Sequence, residues 1–232
     1  NGYKTFTATN NKGKLVWNCY KVTCLVSGGT RVQLTSEDIK NSLGHTVKEL
    51  DSFCFEMPDY VVPYDGQGEM VRFAEKYSIT VNDFEYDVKE NRAVFPIVHN
   101  GYVVDAIGRS LRNHLPKWKR YGNSGLPYSY GYGNVAVIVE DCVSACVVGK
   151  GDFVGVAVLG TSLAESHKKY LSQFSAVVVA LDPDALPKTI AFSKELRGHV
   201  DNVKVLRLTD DLKYRREIDI ANLQRIGETT WN

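Results

Sequence analysis

From position 133 onward, short β-branched runs alternate with helical stretches. The runs at 135–140, 153–159 and 176–181 are almost wholly apolar, the run at 203–208 carries Lys204 and Arg207 among its aliphatics, and the segments 141–148, 162–174 and 187–200 between them read as helices. Strands that are apolar on both faces belong inside a sheet covered on both sides. Their alternation with helices predicts an α/β core with a mainly parallel sheet. The closing segment "DDLKYRREIDIANLQRI" predicts a helix packed back on that core.

Upstream the pattern changes. "EMVRFAEKYSI" places Met70, Phe73, Ala74 and Tyr77 on one helical face. "AVFPIVHNGYVVDAIG" is two apolar runs joined by Asn100-Gly101, the dipeptide preferred in a type I′ hairpin turn. "GRSLRNHLPKWKRYGNSGLPYSYGYGN" has no period and predicts a long, exposed, basic loop, while "EMPDYVVPYDGQG" predicts a linker. The first part is least regular: a strand-like "LVWNCYKVTC" carrying Cys19 and Cys24, then a helix in "TSEDIKNSL" capped by Thr35 or Ser36. The expected organisation is an N-terminal segment over 1–55, a smaller mixed α+β basic subdomain over 56–134, the α/β core over 135–210 and a C-terminal helix over 211–232.

Composition narrows the setting. Of 232 residues, 44% are hydrophobic and 24% charged, as in ordinary globular proteins. The net charge of +1 says nothing about nucleic acid, so only a local basic cluster would count. No apolar run is long enough for a bilayer and no signal peptide opens the chain, so no membrane partner is expected. Five cysteines, two of them (Cys142 and Cys146) inside a predicted helix, argue against a disulfide framework and fit a reducing cytoplasm. The chain begins at Asn1 without methionine, as a fragment or processed chain would.

The chemistry gathers where strands end. "VAVIVE" closes on Glu140, and "VVVALDPDA" delivers Asp182 and Asp184 to the end of another buried run. Ligands of open parallel sheets bind beyond these carboxyl ends. In extended chain, positions i and i+2 point the same way, so both aspartates are expected to face one point. Three carboxylates together, with no lysine in the motif, call for a hard divalent cation. The plainer alternative is that an acid after a strand only caps the next helix, with Asp184 the candidate.

Glu140 in "VIVEDCVSA", the turn "LGTSL" over 159–163 and "ALDPDA" together resemble the signature of the Toprim domain, with Asp141 where the family often has glycine. "NRAVFPIVHNGYVVDAIGRSL" and "LPKWKRYGNSG" resemble the segment that precedes this domain in DNA primases of the DnaG and phage type. The resemblance runs from about 69 to 208. It implies an enzyme, a DNA primase (DNA-directed RNA polymerase) that joins ribonucleoside triphosphates on single-stranded DNA by nucleotidyl transfer, in phage DNA replication. A replicative helicase is the implied partner. No G-x-x-x-x-G-K-[ST] loop appears, so the motor is not in this chain.

By the same resemblance, Glu140, Asp182 and Asp184 are the catalytic acids and hold Mg2+ or Mn2+, with Asp210 or Asp211 as a further ligand. Arg92, Arg109, Arg112, Lys117, Lys119 and Arg120 face nucleotide or DNA, and Trp118, Tyr121, Tyr128 and Tyr130 are expected to stack on bases. An acidic helix start is the competing account of Asp210 and Asp211. "NGYKTFTATNNKGKLVWNCYK" resembles the strand pair of a zinc ribbon, which makes Cys19 and Cys24 two of the four ligands Zn2+ requires, the others expected only in a longer N-terminal form; without a second pair, two ordinary buried thiols are the favoured reading here. Two alternatives stand: a Toprim nuclease using the same acids, and a non-catalytic module that binds single-stranded DNA.

Overall fold

The computed structural model describes residues 6–11, 14–19, 26–31, 55–112, 114–160 and 162–227. The helix expected in "TSEDIKNSL", together with Cys24, Cys54 and Thr161, lies outside them.

At the N-terminus β1 (Phe6–Asn11), β2 (Lys14–Cys19) and β3 (Ser27–Arg31) form an antiparallel three-stranded sheet in that order. The expected strand pair is therefore present in β1 and β2.

The next unit is an antiparallel sheet of β4 (Val61–Val62), β5 (Glu85–Asp87), β6 (Arg92–His99), β7 (Tyr102–Ser110) and β8 (Trp118–Arg120), in chain order. Asn100 and Gly101 turn β6 into β7 with φ of 52° and 82°, the double positive φ that a type I′ turn requires. Helix α1 (Gly68–Tyr77) buries Met70, Phe73, Ala74 and Tyr77, the face its spacing predicts. The expected linker is corrected: Val61 and Val62, between Pro58 and Pro63, form the edge strand β4, and Val61 is buried. Two residues between prolines are too few to register as a strand until a partner pairs with them.

The third sheet holds β9 (Tyr128–Tyr130), β10 (Val135–Val139), β11 (Val154–Ala157), β12 (Ala176–Val179) and β13 (Asn202–Val205), in the order β13-β12-β10-β11-β9. All pairs are parallel except β9 with β11. Helices α2 (Cys142–Val148), α3 (Glu165–Leu171), α4 (Leu186–Leu196) and α5 (Glu217–Gly227) complete the α/β unit. The expected long loop is thus corrected too, since it contributes β8 to one sheet and β9 to the other.

Period-2 alternation sorts the core of this sheet. Ala136, Ile138, Val177 and Val179 face one side, where Leu171 of α3 and Phe192 and Leu196 of α4 cover them. Val137, Val139 and Val178 face the other, against α2, Leu223 of α5 and the inner face of the antiparallel sheet. Phe95 of β6 is fully buried there, its ring 5.5 Å from that of Tyr128 on β9. Gly155 lets α2 approach β11: a Cβ there would stand 2.1 Å from the Ala145 carbonyl oxygen. Among the described residues no helix is long and apolar enough to cross a membrane.

Candidate active site

The carboxyl ends of β10, β11 and β12 open onto a cleft of about 360 Å³. Glu140, Asp141, Leu159, Gly160 and Asp182 line it from the ends of the parallel strands, and Ile107 of β7, Lys117 and the three residues of β8 from the antiparallel sheet. Lys188 of α4 and Lys213 of the 310 turn Leu212–Tyr214 complete the wall. Leu159, with φ of 45°, and Gly160 carry the chain away from β11 and leave the mouth open.

Glu140 follows β10 directly, and Asp182 lies three residues past β12. Burial, and then the charge of Glu140, push the Asp182 carboxyl above the ordinary aspartate range; Lys213 acts against them. Asp184 does not share the cleft. Pro183 starts a 310 turn over Pro183–Ala185, so the extended geometry that would point residues 182 and 184 the same way is absent, and Asp184 is exposed. Neither aspartate caps a helix: Asp182 makes no capping hydrogen bond, and Ala185 holds the N-cap position of α4. Among the described residues no three acid, histidine or cysteine side chains converge as a metal-binding group.

Behind the cleft lies a buried polar network absent from the sequence reading. Asp141 caps α2, its Oδ1 accepting from the Ser144 backbone N–H at 2.9 Å. Its Oδ2 accepts from Lys213 Nζ at 3.1 Å and Arg109 Nη1 at 3.4 Å. Lys213 also pairs with Asp211, whose Oδ1 accepts from Ser144 Oγ at 2.6 Å. Asp210 sits outside this network and pairs with Arg216 at 3.1 Å. Asp211 thus faces inward, capping the turn Leu212–Tyr214, and Asp210 faces outward. The lysine-free acidic motif is corrected: the fold brings Lys188 to within 3.3 Å of Glu140 and Lys213 onto Asp141 and Asp211.

The basic residues divide sharply. Arg92 is buried and donates to Glu90 and the Pro116 carbonyl oxygen, both at 2.8 Å. Arg109 is held by Asp141, the Tyr77 hydroxyl and the rings of Phe73, Tyr77 and Trp118. Arg112 pairs with Glu69 at 2.7 Å, Lys119 with Glu90, and Arg120 with Asp105 at 2.7 Å. Lys117 alone of the six has no side-chain partner among the described residues, and it lines the cleft. The aromatics divide likewise. Tyr121 and Tyr130 donate to Asp87 and Asp83, and Tyr128 is buried against Cys146, which leaves Trp118 at the cleft wall.

Cys19, Cys142 and Cys146 are free thiols, the last two buried. Burial drives the Cys146 thiol up to about 12 and also raises the Cys142 thiol well above the ordinary range, which makes both unreactive at neutral pH.

No protein-family model matches the chain, and no curated protein matches it. Solved structures do. The Aquifex aeolicus primase (zinc-binding and RNA polymerase domains) matches over 97% of this chain and 79% of its own, at 16% identity and a TM-score of 0.50. The primase fragment of the bacteriophage T7 primase-helicase matches over 90% and 93%, at 15% identity and TM-score 0.47. A DnaG primase catalytic domain bound to single-stranded DNA matches over 70% of this chain, at 23% identity and TM-score 0.47; the chain spans 60% of that structure's length. The chain shares its fold with the zinc-binding and RNA polymerase domains of the Aquifex aeolicus primase.

Proposed function

We propose that this chain is the catalytic core of a DNA primase, joining ribonucleoside triphosphates on a single-stranded DNA template. The observation that carries this reading is the cleft itself. Two carboxylates, Glu140 and Asp182, stand at the ends of adjacent parallel strands opposite Lys117, whose side chain has no partner among the described residues, and the indole that opens β8. Acids on one wall and an open cation on the other suit a ligand that brings both a divalent cation and phosphates.

Glu140 and Asp182 fit a hard divalent cation. The Asp182 carboxyl is half-buried and disfavoured by its neighbour's charge, and positive charge beside it relieves that cost. Magnesium is commonly held through one or two carboxylates, with waters and substrate phosphates completing its shell, so this pair suffices. When bound, such an ion neutralises charge developing on a transferring phosphoryl group. Asp184 stands near enough for its charge to reach Asp182, while Asp141 and Asp211 are already committed to Lys213.

The remaining work falls to the chain's own groups. Lys117 offers its ammonium to a phosphate, and Trp118 presents a face on which a base can stack. Arg109 holds Trp118 and Asp141 in place from behind, so it positions the cleft rather than touching a ligand. The buried Asp141–Lys213–Asp211 network fixes the start of α2 beside Glu140.

The test is incubation with single-stranded DNA, labelled ribonucleotides and magnesium. Short RNA products that vanish in Asp182→Asn are the expected result. A shortened template would instead assign phosphodiester hydrolysis. Unchanged DNA binding with no turnover, in the native chain and in Glu140→Gln alike, would assign a binding module.

A further inference from the structure

Four lysines line the cleft, and they differ in how firmly they are held; Lys119 is paired with Glu90. Lys213 touches both Asp141 and Asp211 with its side chain only 9% exposed, so it is locked. The Lys117 ammonium has no partner among the described residues. Lys188 lies between these extremes. Its carboxylate contact is Glu140 at 3.3 Å, with the two side chains 26% and 31% exposed.

A single ion pair of this length, open to water, biases an equilibrium by about fivefold at most. The root of Lys188 is nevertheless fixed. It leaves the first turn of α4, where the Thr189 hydroxyl bonds the Ala185 carbonyl oxygen and Phe192 is buried in the core. The Phe192 ring, 5.5 Å from the ammonium, supports it over the cleft. The tip can therefore change partner while the stem stays in place. A divalent cation on Glu140 would both remove that partner and repel the ammonium, and the nearest favourable place for it is then an anionic oxygen of whatever ligand came with the cation.

Resting on the primase reading, we propose that Lys188 is a phosphate-positioning residue: its ammonium sits on Glu140 and passes to the nucleotide's phosphate oxygens when a divalent cation takes Glu140. Lys188 thereby competes with the cation alone and cooperates with the cation and triphosphate together.

The experiment is calorimetric titration of the full chain with Mn2+ alone, then with ATP at saturating Mn2+, comparing the native protein with Lys188→Gln and Lys188→Arg. Lys188→Gln is expected to bind Mn2+ up to about fivefold more tightly, because Glu140 loses its competitor. It is expected to bind ATP about tenfold more weakly, because a charge-assisted contact is gone. Lys188→Arg should restore ATP affinity, and the melting temperature should not change. Shifts of the same sign for both ligands, or weaker Mn2+ binding, would show a merely structural lysine and overturn the proposal. Native protein that binds both ligands while Lys188→Gln changes neither would overturn the role of Lys188 alone. Native protein that binds neither would overturn the primase reading and this inference with it.

Discussion

Asp105 and Asp182 are both withdrawn from water, and pH acts on them with opposite sign. Burial would raise the Asp105 carboxyl, but Arg120, Ser124 and the Ala106 backbone N–H together hold it below the usual range. Its contribution to stability is present above the ordinary aspartate pKa and is lost as pH falls through the lowered value. For Asp182 the folded pKa is raised, so the native state keeps a proton that the unfolded chain has released, and stability falls as pH rises through that window. Asp182→Asn is therefore expected to raise the melting temperature at neutral pH, and on the proposed primase reading to end RNA synthesis; calorimetry and a primer assay on the same preparation check both. Arg109 and Lys117 divide in the same manner. Arg109→Ala strips Asp141 of one of its two cations and should cost about 2 kcal/mol in denaturant unfolding. Lys117→Ala should leave unfolding unchanged and lower the salt slope of DNA binding by about 0.7. Nothing in the sequence tells these two apart, because the carboxylate that claims Arg109 lies 32 positions away and is brought to it only by the fold.

At the scale of elements, legibility follows burial. The runs that became β10, β11 and β12 are readable because both faces of their sheet are covered, which leaves an unbroken apolar signal; the edge strand β13, with Lys204 in it, is only partly buried. The three-residue strands β5, β8 and β9 and the two-residue β4 carry no such signal, since pairing with a neighbour, not composition, makes them strands. "LDPD" misled for a related reason. Its apolar approach suggested continued extension, whereas Pro183, with its fixed φ, starts a turn and separates Asp184 from the cleft. The element most exposed to a single change is α2. Gly155→Ala would drive a methyl into the Ala145 carbonyl, push α2 off β11 and cost roughly 1–3 kcal/mol. Because Asp141 caps α2 beside Glu140, the same variant should also weaken Mn2+ binding, measurable by calorimetry on the folded fraction.

Across the molecule, the α/β core and the hairpin could be anticipated, but not the way the two five-stranded sheets share one core. Their shared side chains are Phe95, Tyr128, Val137 and Val139, drawn from both sheets. Unfolding in urea should therefore be one event for both: the accessibility of the Cys146 thiol and the fluorescence of Trp118, in a variant lacking the other two tryptophans, should change at the same denaturant concentration. Phe95→Ala should move both midpoints together, at a cost of about 3–5 kcal/mol.

Strand β9 gives this architecture a further consequence. Its three residues precede the α/β unit in sequence yet run beside β11 in that unit's sheet. A truncated chain starting at residue 135 would leave the hydrogen-bonding edge of β11 bare beside an apolar interior. Such an edge recruits any strand that reaches it, so the shortened protein should self-associate. Adding a peptide with the sequence of residues 126–133 should return it to a monomer.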